Sequence, residues 1–235
     1  DMGVAGEVPD GVVDKRIAEG TANIAEGPAM SREQAREAIA AGRAVVADHA
    51  ADARIVGLGE MGIGNTTPSA AITALLTDRS VEAVTGRGTG IDDETRARKV
   101  EVIERAIETS DPDPADPIDV LRSVGGFEIA GLVGVTLAAA SRRTPIVVDG
   151  VIAGAAALLA AELEPRATDY LLGSHASAEP GHAAQVDALG IDPCFDFEMR
   201  LGEGTGAAVA IGVYRAACAA HTGMSTLAEA GLDAE

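Results

Sequence analysis

Two glutamates set among glycines are the residues of this chain best suited to do chemistry. Glu203 stands in Leu201-Gly202-Glu203-Gly204, just ahead of an Ala-rich stretch, at a turn where Asp, Asn or Gly is the usual choice. A carboxylate held by glycine-rich backbone and shielded by an apolar helix is expected to have a raised pKa, as a general base requires. The competing reading is a solvated acid that complements a helix dipole. Glu60 closes a short apolar run and is followed by Met61, Gly62, Gly64, Asn65 and Thr66. The spacing Gly57-x-Gly59-x-x-Gly62 matches a dinucleotide fingerprint, but that motif needs its helix to open near the second glycine. Here Thr67-Pro68 predicts an N-cap at Thr67 and proline at the first helical position, several residues too late. The segment reads instead as a long loop of free N–H groups and hydroxyls, suited to one phosphate or a ribose. A nicotinamide-dinucleotide oxidoreductase rests on the glycine spacing alone.

Three more loops carry polar groups. "GRGTGIDDETRARKV" (86–100) holds Gly88 and Arg87, then Asp92 and Asp93 where a helix starts, and Lys99 about two turns in. Lys99 is either a point charge for phosphate or a solvated surface residue. Asp149-Gly150 ends a second apolar run, where the acid either holds ribose hydroxyls or caps the next helix. "LLGSHASAEPGH" (171–182) supplies Ser174 and Ser177 as hydroxyls; His175 and His182, with no carboxylate pattern nearby, make a weak metal case. A phosphorylated ribose substrate uses all of these loops. No Cys–His or Ser–His–Asp arrangement is evident, so electrostatic and acid–base catalysis is expected rather than an acyl-enzyme.

The elements that must position these loops follow from periodicity. Helices are predicted at 31–51, opened by the capping-box spacing Ser31 to Gln34, and at 67–77, 92–109, 127–141, 151–163, 180–189 and 206–221. Strands are predicted at 54–58, 144–148 and 168–172, with "SDPDPADP" (110–117) as a linker. Strands alternating with helices imply a parallel sheet covered on both faces, whose ligands bind beyond the carboxyl ends of the strands. The expected fold class is α/β, a Rossmann-like parallel sheet flanked by helices, with a small helical subdomain. Residues 1–222 are assigned to the main domain and 223–235 to a helical tail or remnant of the small subdomain.

Composition narrows the function. A net charge of −19 leaves no basic field for nucleic acid. Two cysteines, Cys194 and Cys218, fit a reducing cytoplasm better than a disulfide framework. The longest apolar stretches are too short to span a bilayer. The opening "DMGVAGEVPD" reads as the end of a strand running into a loop, so the fold is expected to be incomplete at its amino terminus.

The motifs "GEMGIGNTTPSAA" (59–71), "GRGTGIDD" (86–93), "VGGFEIAGLVG" (124–134), "PIVVDG" (145–150), "GSHASAEPGH" (173–182) and "MRLGEGTGAA" (199–208) resemble the nicotinate-nucleotide–dimethylbenzimidazole phosphoribosyltransferases, nearly end to end. The resemblance implies transfer of the phosphoribosyl group of nicotinate mononucleotide to 5,6-dimethylbenzimidazole, giving α-ribazole 5′-phosphate, the lower-ligand nucleotide of cobalamin, and nicotinate. It implies a homodimer and no metal or redox cofactor. Glu203 then corresponds to the catalytic base and Glu60 to the second acid of the site. Gly62, Gly64, Gly88, Lys99 and Ser177 correspond to the phosphate and ribose cradle, Asn65, Thr66, Ser174, Gly202 and Gly204 to further substrate-binding positions, Asp149 to a ribose contact, and Met61 and Leu201 to walls of the benzimidazole pocket. Members carry a further segment ahead of "DMGVAG" that forms part of the acceptor pocket. A catalytically idle nucleotide-binding module that keeps the cradle is therefore the rival expectation.

Overall fold

Residues 1–88 and 90–231 are described by the computed structural model. Helix α1 (Arg32–His49) opens on the expected box: the Ser31 hydroxyl accepts from Gln34 N, and the Gln34 side chain accepts from Ser31 N. It packs on α6 (Phe127–Ser141) so closely that side chains are excluded. A Cβ on Gly134 would stand 2.0 Å from the Ile39 carbonyl oxygen, and one on Gly42 1.9 Å from that of Gly131. This explains part of the chain's glycine content by helix-to-helix contact.

The sheet is small and parallel, in the order β1 (Val56–Gly57), β2 (Ile146–Val148), β3 (Leu171–Gly173). Val56 pairs with Ile146, and Val147 with Leu172. Side chains alternate across it as the two-residue period requires. Ile146 and Val148 join one core with Leu58, Ala153, Leu158 and Leu171, built on α6 and α7 (Val151–Leu163). Val147 points the other way, against Ala207 and Ala210 of α9 (Thr205–Gly223). A larger cluster unites α1, α6 and α7 with α2 (Thr66–Thr77), α4 (Asp93–Ser110) and α5 (Pro117–Val124). The short α3 (Val81–Val84) and α8 (Pro180–Leu189) complete the helices among the described residues.

Several sequence expectations shift here. Helix α2 begins at Thr66, with Asn65 as a helical N-cap whose side chain makes no cap bond. Pro68 lies third in the helix; its missing N–H is still among those without an intrahelical partner. The expected strand 168–172 is mostly a 3-10 helix over Pro165–Tyr170, where Pro165 sets the backbone and Glu164 caps it. The linker ends at Asp116, which caps α5 by accepting from Ile118 N and Asp119 N, so Pro117 starts a helix instead of closing a loop. α9 runs one residue past the boundary drawn at 222, residues 224–231 form no helix, and 232–235 lie outside the described residues.

Candidate functional site

The loops after β1, β2 and β3 face one cavity of about 550 Å³, the crevice that a parallel sheet offers at its carboxyl edge. The β1–α2 loop contributes Glu60, Gly62, Gly64, Asn65 and Thr66; the β2–α7 loop contributes Asp149; the β3–α8 loop contributes His175, Ser177 and Glu179. Arg87, Gly88 and Lys99 enter from the α3–α4 loop and α4, and Arg200, Leu201 and Gly202 from the turn before α9.

The cationic side is built around Lys99. Its Nζ donates to Thr66 Oγ1 at 2.8 Å, and burial lowers its pKa from the ordinary lysine range while nearby Glu179 opposes that shift. Gly88 has a left-handed backbone (φ 54°) and donates its N–H to Glu179 Oε1 at 2.9 Å, which fixes the glycine loop over Thr66. Arg87 is tied to Asp93 and to the Ile91 carbonyl.

Glu60 is half-buried and accepts from the Asn65 side-chain amide. Burial raises its pKa, with the negative charges of Glu128 and Asp149 adding to the effect and the Asn65 amide opposing it. Glu128, in the first turn of α6, is raised by burial as well, with the Asn65 amide again opposing. These two acids border a second cavity of about 860 Å³, which Met61 also lines.

Glu203 is exposed, which overturns the expected shielding by the following helix. It lines neither cavity; it follows Gly202, which borders the first, in a run of three left-handed residues: Gly202 (φ 78°), Glu203 (φ 58°) and Gly204 (φ 72°). Glycines take that conformation freely, whereas a glutamate there is strained and persists only if its surroundings enforce it. Gly204, expected to bind substrate, lines neither cavity and is engaged with backbone: a Cβ on Gly59 would stand 2.7 Å from Gly204 N. The Glu60 and Glu203 loops are therefore in backbone contact, and the first two fingerprint glycines serve packing, Gly57 lying against Ala207 and Ile211.

Ser174 is a second correction. It is fully buried, donates to the Asp149 carbonyl at 3.1 Å, contacts His175 Nδ1 at 3.0 Å and lines neither cavity. Ser177 does line the first cavity; its N–H donates to His182 Nδ1 at 3.3 Å. Burial holds His182 down to about 4, so the imidazole is neutral and able to accept, and it stacks on His175 at 5.9 Å between centroids. No group of three or more His, Cys, Asp or Glu among the described residues is placed to hold a metal ion. Met61 is 81 % exposed and Leu201 67 %, so neither forms an enclosed wall within this chain. Glu128, Glu179 and Arg200 escaped the sequence reading. The two acids look like ordinary helix-start residues, and only their partners across the fold reveal them; Arg200 gave no signal beyond its place before the glycine turn.

A family model described as "Phosphoribosyltransferase" matches residues 1–232. The nicotinate-nucleotide–dimethylbenzimidazole phosphoribosyltransferase of Desulforudis audaxviator is 52% identical over 222 residues, 94% of this chain and 63% of its own length. That of Chloroflexus aggregans is 50% identical over 236 residues, 99% of this chain and 67% of its own. The chain thus spans about two thirds of the length of these curated relatives. CobT from Thermus thermophilus superposes with a TM-score of 0.94 at 43% identity, over 100% of this chain and 71% of that one.

Proposed function

The chain belongs to this phosphoribosyltransferase family, and from that premise we propose that it transfers the phosphoribosyl group of nicotinate mononucleotide to 5,6-dimethylbenzimidazole. The observation that carries the reading is the cavity itself. In a chain of net charge −19, Arg87, Arg98, Lys99 and Arg200 outnumber the acids Glu60, Asp149 and Glu179 around a cavity that also holds Thr66, Ser177 and the glycine loops, where three strands end. A phosphate needs such a local reversal of sign, and a ribose needs the hydroxyl and amide partners beside it.

In this reading Lys99 and the loops of Gly62, Gly64 and Gly88 hold the phosphate, and Ser177 contacts the sugar. The glycosidic C–N bond to nicotinate breaks with its electron pair passing to the pyridinium nitrogen, which needs no added acid. A ring nitrogen of the benzimidazole forms the new bond at the anomeric carbon from the opposite face, turning a β-nucleotide into an α one. Glu203 takes the proton that the partner ring nitrogen must lose, and Glu60, beside Gly202, is the second acid of the site. Positioning of the two heterocycles supplies most of the acceleration, and base catalysis about 10²–10⁴-fold. The proposal includes a homodimer acting in the cytoplasm; no helix among the described residues is long and apolar enough to cross a membrane.

The exposure of Glu203, Met61 and Leu201 favours a second reading, a module that binds the nucleotide but does not turn it over. Incubating the chain with both substrates and resolving products by chromatography separates the two. Nicotinate and α-ribazole 5′-phosphate appearing together support transfer. Calorimetric binding of nicotinate mononucleotide with no nicotinate released on adding dimethylbenzimidazole overturns it in favour of the idle module.

A further inference from the structure

We infer that Asp149 is a positioning residue that caps α9 from across the fold and thereby fixes the backbone that carries Glu203, instead of contacting ribose; the inference rests on the transferase reading for its kinetic consequence. Asp149 is 2 % exposed, at the end of β2. Its Oδ1 accepts from Ala207 N at 2.9 Å and its Oδ2 from Gly204 N at 3.2 Å. Both donors belong to the opening of α9, whose N-cap position is Gly204 and therefore has no side chain to cap with. The first N–H groups of a helix need acceptors, and a buried carboxylate there also meets the positive end of the helix dipole. One residue thus satisfies two amides whose own sequence neighbourhood offers nothing.

The packing around this contact leaves no slack. A Cβ on Gly206 would stand 2.0 Å from His175 Nδ1 and 2.9 Å from Asp149 Oδ1, so the first turn of α9 is seated directly on these side chains. On the other side, Gly204 meets the backbone of Gly59. Glu203 is held between these constraints in a left-handed conformation that glutamate does not choose alone. Releasing Gly204 N and Ala207 N lets Glu203 relax toward ordinary backbone angles and frees its carboxylate from its place beside Gly202. Asparagine at 149 keeps the volume but presents an amide N–H toward one of the two donors, so one of the bonds is lost.

The test compares the wild-type chain with Asp149→Asn and Gly206→Ala, each checked for fold by circular dichroism, by amide exchange and by steady-state kinetics. The wild type is expected to protect the Gly204 and Ala207 amides, and both variants to lose about 10-fold or more of that protection while the α1 and α6 amides keep theirs. Loss of a charged hydrogen bond predicts a fall in kcat of about 10–100-fold, with KM for nicotinate mononucleotide within about 3-fold, since in this account Asp149 makes no contact with it. Unchanged protection in either folded variant overturns the cap. A raised KM for nicotinate mononucleotide at constant kcat overturns it too, and returns Asp149 to the ribose. If the wild-type chain makes no product, it is the transferase reading that fails, and the exchange measurement alone decides the cap.

Discussion

The loops carrying Glu60 and Glu203 touch through Gly59 and Gly204, yet they hold their acids by opposite means. Glu60 is half-buried, its oxygen is engaged by the Asn65 side chain, and a second acid, Glu128, stands near enough to push it toward protonation. Glu203 is exposed, and the order around it resides in the backbone: three left-handed residues and a helix start tied to Asp149. An acid positioned by side chains is tuned by its neighbours' charges. One positioned by backbone is placed by the turn that carries it. In the proposed reaction the pair divides the labour between placing a nucleotide and accepting a proton.

The most severe test of this contrast is Glu203→Gln. If the exposed acid is the base, product formation falls about 10²–10⁴-fold while calorimetric affinity for nicotinate mononucleotide stays nearly constant; near-normal turnover would end that assignment. Lys99→Met comes next and acts on the other half of the cavity. Losing a charged hydrogen bond to phosphate should weaken nicotinate mononucleotide binding about 10–100-fold, with a far smaller change in kcat. Titration calorimetry reads the first and saturating kinetics the second.

Gly59→Ala addresses the contact between the loops. The added methyl meets Gly204 backbone at 2.7 Å, which cannot yield as a side-chain tip would. Overpacking of this kind costs about 1–3 kcal/mol, so urea unfolding should show the loss, and kcat should drop although neither acid was altered. The smallest effect is expected from Glu128→Gln. Burial raises the folded-state pKa of Glu128 above its unfolded value, so its favourable contribution is present at low pH and lost as pH rises through the folded pKa. Removing the charge should therefore raise Tm at pH 7, by about 1–3 °C, and leave it unchanged near pH 4. A lower Tm at pH 7 would mean that the Asn65 amide and the α6 backbone stabilise the ionised carboxylate more than burial penalises it.

Much of this was legible in the chain. α6, α7 and α8 begin and end where their periodicity places them, because each is a long regular pattern closed by Gly, Ser or Pro. The β1–α2 segment was recognisable as a loop too long for a dinucleotide because Pro68 comes late, although the helix in fact admits Pro68 at its third position. The strand expected at 168–172 starts only at Leu171, because Pro165 and a Glu164 cap favour a 3-10 turn over the residues before it. Ser174 failed because a hydroxyl beside a histidine looks equally polar whether it faces a cavity or, as here, a carbonyl within the core.

The order of residues alone dictates the helices, the parallel α/β class, the glycine loops and the two glutamates, since these depend on neighbours within a few residues or on motif spacing. It also sets the acid-rich balance against which four cations at one cavity become meaningful. Folding in three dimensions was needed to settle which groups are inside, which acids share an amide, and that Asp149 caps a helix beginning 56 residues later, from Asp149 to Thr205. Burial and hydrogen-bond partners are properties of residues brought together from distant parts of the chain. A local pattern can say that an acid lies in a turn, but the groups that meet it arrive from other strands and helices.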